Sequence, residues 1–236
     1  MIAVVALSGC SKPEPKIQKR LTMCGDAWDK YVFSYTADGK VAQVNRNEGE
    51  KLWVLTWNGA NATAAYTEGG KKAGDKDCKL TFGANGFLSS YSDHWGDTWG
   101  FTYDADGHLT KIDRPDRNKV KANCVWEKGN LKKWSRFNES GDEEWKIQSF
   151  LPDENVAGIF PDASDKADVY RWMFELGWCG KPSANLLDQA AWEGSGAIAV
   201  HTYVKDADGF VTKVNKVYDG GEPEIYEYVW EVINAK

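Results

Sequence analysis

The sequence predicts an all-β protein: a soluble antiparallel meander that closes or curls into a barrel-like sheet of about 12–14 strands, with one inserted helix near 165–177. Three observations predict this fold class. A β-hairpin unit recurs along most of the chain, one segment has helical periodicity, and the 236 residues include 12 Trp, which can fill the wide interior of a large sheet.

The recurring unit has alternating apolar and aromatic residues, a turn that contains Gly, and then apolar residues again. It is clearest at 33–44, 101–112 and 203–214, which share the turn sequence Ala-Asp-Gly. Five units begin at residues 33, 55, 80, 101 and 124, with spacings of 22, 25, 21 and 23 residues. Because Asp-Gly supplies the positive φ of a tight turn, we predict left-handed backbone at Gly39, Gly107 and Gly209.

The helical segment interrupts this regularity near 165–177. Ser164 is a suitable N-cap, and Gly177 is a suitable C-terminal stop. One face of the predicted helix is apolar and consists of Val169, Trp172, Met173 and Leu176. We expect this face to pack against the sheet or inside its lumen.

The first residues indicate where the protein is anchored. Residues 1–10 form a short apolar run that ends in Leu-Ser-Gly-Cys, which resembles a bacterial lipoprotein signal with Cys10 as the lipidated residue. The alternative is a buried N-terminal strand that happens to end in Cys. We predict a tether over 11–24, a single β-barrel-like domain over 25–236, and a lipid-anchored location in the outer membrane, facing the periplasm or the cell surface. The bilayer would be a partner through the acyl chains on Cys10.

Charge and cysteine content limit the other partners. The formal net charge is −6 and no basic run is present, so we expect no nucleic-acid partner. Four further cysteines can form two disulfides in any of three pairings, or can be free and buried: Cys24, Cys78, Cys124 and Cys179. Their spacing does not fit a zinc site, and we predict no metal and no cofactor.

Several of these features together resemble a known family. The Leu-Ser-Gly-Cys signal, the hairpin at 103–112 and the segment 176–186 resemble Bacteroidetes-type lipoproteins of a domain-of-unknown-function family with a porin-like β fold, over residues 25–235. The hairpin unit is also similar to the tyrosine-aspartate repeats of large secreted shell proteins. The resemblance implies a fold and an envelope location, without an activity. Transmembrane strands need about 9–11 residues with an apolar outer face, whereas segments such as 131–134 alternate with charge, so we expect a soluble barrel.

Aromatic residues are the candidate binding groups. The polar, Gly-rich segment 91–100 places two Trp beside groups that can hydrogen-bond a sugar ring: Trp95, Trp99, Asp93, His94 and Asp97. Trp53 and Trp57 share one face of a strand and complete the candidate set, although in-strand Trp can equally fill the interior. The Asp-x-Asp-Gly turns resemble calcium ligands in composition, but turn chemistry explains them because a strand follows the Gly immediately.

These observations favour a non-enzymatic, envelope-anchored lipoprotein that binds a glycan, lipid or peptide on an aromatic-rich β surface. The alternative is a structural or assembly component that engages another envelope protein. A hydrolase is a distant third, because the sequence contains neither a Gly-x-Ser-x-Gly nor a His-Glu-x-x-His motif.

Overall fold

The computed structural model describes residues 18–138, 140–161, 169–193 and 195–233. Cys10 and the rest of segment 1–10 lie outside the described residues, as do residues 11–17 of the predicted tether, whereas its residues 18–24 belong to a barrel strand. Seventeen strands are described: β1 Gln18–Gly25, β2 Lys30–Tyr35, β3 Val41–Arg46, β4 Lys51–Asn58, β5 Asn61–Glu68, β6 Lys71–Lys72, β7 Cys78–Phe82, β8 Leu88–Ser92, β9 Thr98–Tyr103, β10 Leu109–Arg114, β11 Lys119–Glu127, β12 Asn130–Phe137, β13 Glu143–Glu154, β14 Asn185–Trp192, β15 Ile198–Lys205, β16 Val211–Tyr218 and β17 Glu224–Ile233. The helices are α1 at Arg171–Glu175 and two short 3-10 helices at Asn47–Gly49 and Pro115–Arg117.

The strands form a closed antiparallel barrel. Each strand of the ring pairs with its neighbours in the chain, and β1 pairs with both β2 and β17, which closes the ring. The two-residue strand β6 pairs only with the end of β5, and β5 continues the ring by pairing with β7. The ring therefore has 16 strands, and the predicted all-β fold class is confirmed. The count exceeds the predicted 12–14 because strands such as β1 and β14 lie outside the recognisable hairpin units.

Hairpin turns define the two ends of the barrel. The end that we call the upper mouth carries the turns at 36–40, 59–60, 83–87, 104–108, 128–129 and 206–210. We call the opposite end the lower mouth. The predicted turn conformation is confirmed, because φ is 84° at Gly39, 91° at Gly107 and 84° at Gly209. The first residue of the turn at 104–108 stabilises it, because Asp104 Oδ1 accepts hydrogen bonds from the backbone N–H groups of Asp106 and His108 at 3.0 and 2.8 Å. This supports the turn-chemistry interpretation.

The connection between β13 and β14, residues 155–184, passes through the lumen. Helix α1 contacts strands from different sides of the ring: Trp172 lies 5.7 Å from Trp53 of β4, and Phe174 lies 6.0 Å from Trp134 of β12 (ring centroids). The prediction that the apolar face packs inside the lumen is confirmed for Val169, Trp172 and Met173, which are all buried. Leu176 is half-buried.

Helix α1 is shorter than the predicted helix over 165–177. Tyr170 has extended backbone, with φ −62° and ψ 130°, so the described helix begins at Arg171. Gly177 has φ 70° and follows its end, as predicted. All five helical residues are buried, including a salt bridge between Arg171 and Glu175. Burial on all sides explains the difference, because apolar spacing marks buried residues of an irregular connection as well as one face of a helix. Ser164 lies outside the described residues.

The four cysteines of the described chain are free and buried in the barrel wall and lumen. Of the two alternatives left open by the sequence, the structure has the unpaired one. Burial raises the pKa of the Cys24 and Cys179 thiols, so these groups stay protonated and pack as small apolar side chains. Among the described helices, none has the length and apolar character needed to cross a bilayer.

Candidate functional site: the open half of the upper mouth

A ring of aromatic side chains lines the lumen near the upper mouth. Every second strand of the barrel contributes one half-buried aromatic residue: Tyr35, Trp57, Phe82, Tyr103, Trp126, Phe150, Tyr203 and Trp230. We call this set the aromatic girdle. It follows from the hairpin unit, because the strand that enters each upper turn carries an aromatic residue at an inward position close to the turn.

Hydrogen bonds to the barrel wall fix the girdle rings. The three Tyr hydroxyl groups and the three Trp Nε1–H groups of the girdle each donate a hydrogen bond to a backbone carbonyl of the preceding strand. The acceptors are Leu21 for Tyr35, Val41 for Trp57, Leu88 for Tyr103, Leu109 for Trp126, Leu187 for Tyr203 and Val211 for Trp230. Each ring is therefore oriented before any ligand arrives, which lowers the entropy lost on binding. Burial raises the pKa of Tyr35 to about 12, so this hydroxyl remains a donor at neutral pH.

The lumen connection covers one half of the upper mouth. Its backbone bonds to three neighbouring turns and strands: Leu88 N–H donates to Trp178 O, Lys181 N–H to Gly107 O, and Ala184 N–H to Gly129 O, at 2.8–2.9 Å. Gly180 has φ 102°, and a Cβ there would lie 2.9 Å from the Tyr103 ring and from Gly107 O. The close approach of connection and wall on this side thus depends on glycine.

The other half of the mouth, beside β17 and β1–β4, stays open. A cavity of about 500 Å³ lies there, within the size range of small-ligand sites. Its walls include four aromatic residues, three from the girdle and one from the connection: Tyr35, Trp57, Trp230 and Trp178. Trp178 is held edge-on against Trp57, with centroids 5.9 Å apart and planes at 90°. We call this cavity the open mouth.

Three cations line the open mouth, and they differ in how firmly they are held. Lys19 Nζ lies 2.6 Å from a carboxylate oxygen of Asp206 and 2.5 Å from one of Asp208. These hydrogen bonds raise the pKa of Lys19. Arg20 pairs with Glu231 at 2.8 Å, and its guanidinium lies 4.4 Å from the centre of the Tyr35 ring.

Lys40 is the third cation and is held more loosely. Its Nζ donates to Gly59 O at 3.1 Å and lies 5.3 Å from the centre of the Trp57 ring. Its nearest recorded carboxylate oxygen belongs to Asp38, at 4.0 Å. In the part of the chain that the structure describes, the carboxylates that pair with these cations do not line the cavity. The cations therefore line the cavity without their carboxylate partners.

Among the described residues that line the open mouth, the acidic one is Glu175, whose side chain is fully buried. Burial raises the pKa of Glu175, and the Arg171 guanidinium opposes that shift by donating to Oε1 from Nε and Nη2 at 3.0 Å. Tyr228 Oη also donates to Oε1, at 3.3 Å. This carboxylate is held in the barrel interior and is not free to act as a general base.

Of the residues predicted as binding groups, Trp57 lines the open mouth. Trp53 shares its strand face but lies deeper, 1% exposed, against Tyr66, Tyr170 and Trp172 at centroid distances of 4.9–5.7 Å. Trp53 therefore fills the interior, as the alternative interpretation of in-strand Trp predicts. The signal that separates the two Trp is their distance from the turn.

The predicted group at 91–100 lies at the lower mouth, and the structure does not bring its two Trp rings to one surface. Trp95 is 68% exposed on the turn, whereas Trp99 is 3% exposed, stacked on Tyr91 and covered by the Arg114 guanidinium at 4.5 Å. His94 is buried between Tyr66 and Trp95, and burial lowers its pKa.

The acidic residues of the same segment are engaged within the protein. Asp93 Oδ1 accepts the N–H groups of Trp95 and Asp97, both at 2.9 Å, and so holds its own turn. Asp97 pairs with Arg114 at 2.7 Å and with Arg117 at 3.3 Å. A binding role for this group stays a prediction, with Trp95 as its one exposed ring.

A small cavity and one acidic turn are weaker candidates for a binding site. A second, mainly apolar cavity below the covered half has room for about 40 Å³, the scale of a water molecule or two. On the turn at 104–108, the ligand atoms of Asp104, Asp106 and His108 lie within 4.8 Å of one another. Since Asp104 Oδ1 already holds the turn, this arrangement is accounted for without an ion.

Comparison with solved structures defines the fold class. The chain is similar to a porin-like protein from Bacteroides uniformis ATCC 8492, with a TM-score of 0.68 and 15% identity over 89% of this chain and 98% of that one. The chain has a porin-like barrel fold. A porin-like protein from Bacteroides vulgatus ATCC 8482 is also similar, with a TM-score of 0.56 and 11% identity over 90% of this chain and 99% of that one. At these identities the likeness concerns the fold alone.

The sequence comparisons add no family to this porin-like barrel. No family model matches the sequence, and no curated protein matches it. The predicted porin-like β fold is therefore confirmed as a fold, while membership of the domain-of-unknown-function family and the tyrosine-aspartate likeness are without support from a family model.

Sequence reasoning missed most residues of the open mouth. The aromatic residue four positions before the turn glycine, as at Tyr35, Phe82 and Tyr103, is a signal that could have located the girdle. No local signal places Trp178 or Glu175 there, because their position depends on how the connection returns through the lumen.

Proposed function

We propose that this porin-like barrel is an envelope binding protein that holds a glycan in the open mouth. The observation that carries the proposal is the combination of four oriented aromatic rings and three cations around one cavity of about 500 Å³. Sugar rings present apolar C–H faces that stack on aromatic rings, and their hydroxyl groups need hydrogen-bonding partners at the edge. Tyr35, Trp57, Trp178 and Trp230 offer the faces, and the rim cations offer donors.

The geometry favours a glycan over the other two ligand classes considered. A peptide that adds a strand needs an open sheet edge, whereas the described strands of the ring close on one another through β1, β2 and β17. An acyl chain needs a deep apolar cavity, whereas the mainly apolar cavity beside the lumen connection has a volume of only about 40 Å³. An aromatic mouth with a charged rim suits a polar ring-shaped ligand better.

The residues that line the open mouth favour binding over catalysis. Within the described part of the chain, the lining includes no His, Cys, Ser or Asp side chain. Its carboxylate, Glu175, is held by Arg171 and Tyr228. Nucleophilic or acid-base catalysis needs a paired nucleophile and base within reach of the substrate, and these residues do not supply one.

An envelope location is part of the proposal. Lipidation of Cys10 would anchor the protein in the outer membrane, with the bilayer as a partner. The outer wall supports a barrel that stands in water, because its strands carry ion pairs such as Lys133–Glu143 at 3.2 Å and Lys111–Asp113 at 2.7 Å. A lipid-facing wall would instead need an apolar band. Replacing Cys10 with Ala should move the protein from the membrane to the soluble fraction, and unchanged retention would contradict the anchor.

The ligand proposal is tested by two matched substitutions in the girdle. Trp57 and Trp126 occupy the same hairpin position and make the same Nε1 hydrogen bond, but Trp57 lines the open mouth and Trp126 lines the covered half. After a glycan array identifies oligosaccharides that bind, isothermal titration should show that Trp57→Ala removes binding and Trp126→Ala retains it. Equal loss in both variants, with both folded by circular dichroism, would contradict the proposal, as would an array without a binding glycan.

A further inference from the structure

We infer that the open mouth is selective for an anionic glycan, with Lys40 as the residue that recognises its acidic group. This inference rests on the proposed function and adds the chemical class of the ligand. It starts from the charges that face the cavity. Among the described residues that line it, three are cations, Lys19, Arg20 and Lys40, while the Glu175 carboxylate is fully buried and paired with Arg171.

The three cations are not equivalent as ligand groups. Lys19 is fixed between Asp206 and Asp208 at 2.6 and 2.5 Å, and Arg20 is paired with Glu231 at 2.8 Å. A ligand that took either cation would have to replace an existing close ion pair. Binding to Lys40 does not require the loss of such a close ion pair, because its carboxylate neighbour is Asp38 at 4.0 Å.

The Asp38 carboxylate is itself engaged elsewhere. Thr36 Oγ1 donates to Asp38 Oδ1 at 2.5 Å, and this bond lowers the pKa of Asp38. Lys40 Nζ uses one recorded hydrogen bond, to Gly59 O at 3.1 Å. An ammonium group has three donors, so Lys40 retains donors for a ligand.

The position of Lys40 relative to Trp57 completes the argument. Its Nζ lies 5.3 Å from the centre of the Trp57 ring, a girdle ring that the wall holds in place. A sugar ring bound beside Trp57 would bring an acidic ring substituent next to this ammonium group. The Lys ammonium group is a compact charge without the planar, bidentate geometry of an Arg guanidinium group. A carboxylate group and a sulfate ester are therefore both compatible with this site. The shared chemistry is a sugar ring that bears an anionic group.

The test compares three oligosaccharide probes on the full-length protein by isothermal titration: an oligogalacturonide, a sulfated heparin fragment and a neutral galacto-oligosaccharide of equal length. We expect an anionic probe to bind tighter than the neutral one, and Lys40→Ala to reduce that affinity by roughly tenfold. Lys40→Arg should retain most of it. The two anionic arms distinguish carboxylate from sulfate as the preferred group.

The control is Lys205→Ala, a lysine of the same rim that pairs with Asp153 at 2.5 Å and does not line the open mouth. This variant should bind like the wild type. If the neutral probe binds as tightly as the anionic ones, or if Lys40→Ala and Lys205→Ala behave alike, the inference is wrong while the glycan proposal stands. If no probe binds and the glycan array is also empty, the proposed function fails, and the inference fails with it.

Discussion

The covered and open halves of the upper mouth are built from the same hairpin unit, and they differ in what lies above them. In the covered half, the connection bonds to Leu88, Gly107 and Gly129 and closes the girdle beneath it. In the open half, the same kind of rings face a cavity of about 500 Å³. A repeated unit thus supplies equivalent aromatic positions, and one irregular segment decides which of them a ligand can reach.

The largest expected effect comes from removing the support that the two halves share. Trp172 is fully buried and contacts both Trp53 of the wall and Trp178 of the open mouth, at centroid distances of 5.7 and 5.5 Å. Trp172→Ala should reduce the free energy of unfolding by about 3–5 kcal/mol, because it leaves a large cavity in the packed lumen. Urea denaturation measures this loss, and a change below about 1 kcal/mol would show that the connection is not packed as described.

A second prediction concerns pH and the wall below both halves. Burial, with smaller contributions from Lys216 and Lys146, lowers the pKa of His201 from 6.5 to about 4. In the unfolded chain this side chain therefore takes up a proton near pH 6.5. In the folded protein, His201 stays neutral until about pH 4. Above pH 6.5, His201 is neutral in both states and does not lower the stability. As the pH drops to 4, the free energy of unfolding falls by up to about 3 kcal/mol.

His201→Gln should remove that part of the pH dependence. Denaturation midpoints at pH 7.5, 5.5 and 4.5 measure it in both proteins. Parallel curves for the wild type and the variant would contradict a buried, neutral His201.

A third prediction compares two glycines, one for each half. Gly180 lies in the covered half with φ 102° and tight surroundings, whereas Gly39 lies in the open half with φ 84° and open space around its Cβ position. Gly39→Ala should cost about 1 kcal/mol of stability, because only backbone strain is added. Gly180→Ala should cost more, since the added Cβ also displaces the connection from the Tyr103 ring. Thermal unfolding decides this, and equal losses would mean that the connection is not seated on the wall.

The smallest effect is expected at the lower mouth. Trp95 is 68% exposed, so Trp95→Ala should change the stability by less than about 0.5 kcal/mol. It should also leave glycan affinity unchanged if the open mouth is the binding site. Isothermal titration with a bound glycan checks this, and lost affinity would transfer the site to the sequence-predicted group around Trp95.

Much of the barrel can be predicted from the sequence because its information is local. The Asp-Gly sequences at Gly39, Gly107 and Gly209 predict hairpin turns, and consecutive hairpins predict an antiparallel meander. The site is less accessible to such reasoning. Trp99 and Trp57 are both Trp in or near strands, yet one is covered by Arg114 and the other lines a cavity. That difference depends on packing between residues distant in the sequence, which no local pattern encodes.

The most direct test of the central claim is hydrogen–deuterium exchange of the full-length protein with and without a glycan that the array identifies. We predict slower exchange in the open half, at the turns 36–40 and 59–60 and in the segment 176–182. The equivalent turns of the covered half, 104–108 and 128–129, should exchange as before. Protection of the lower-mouth segment 91–100, or equal protection of both halves, would contradict a glycan site in the open mouth.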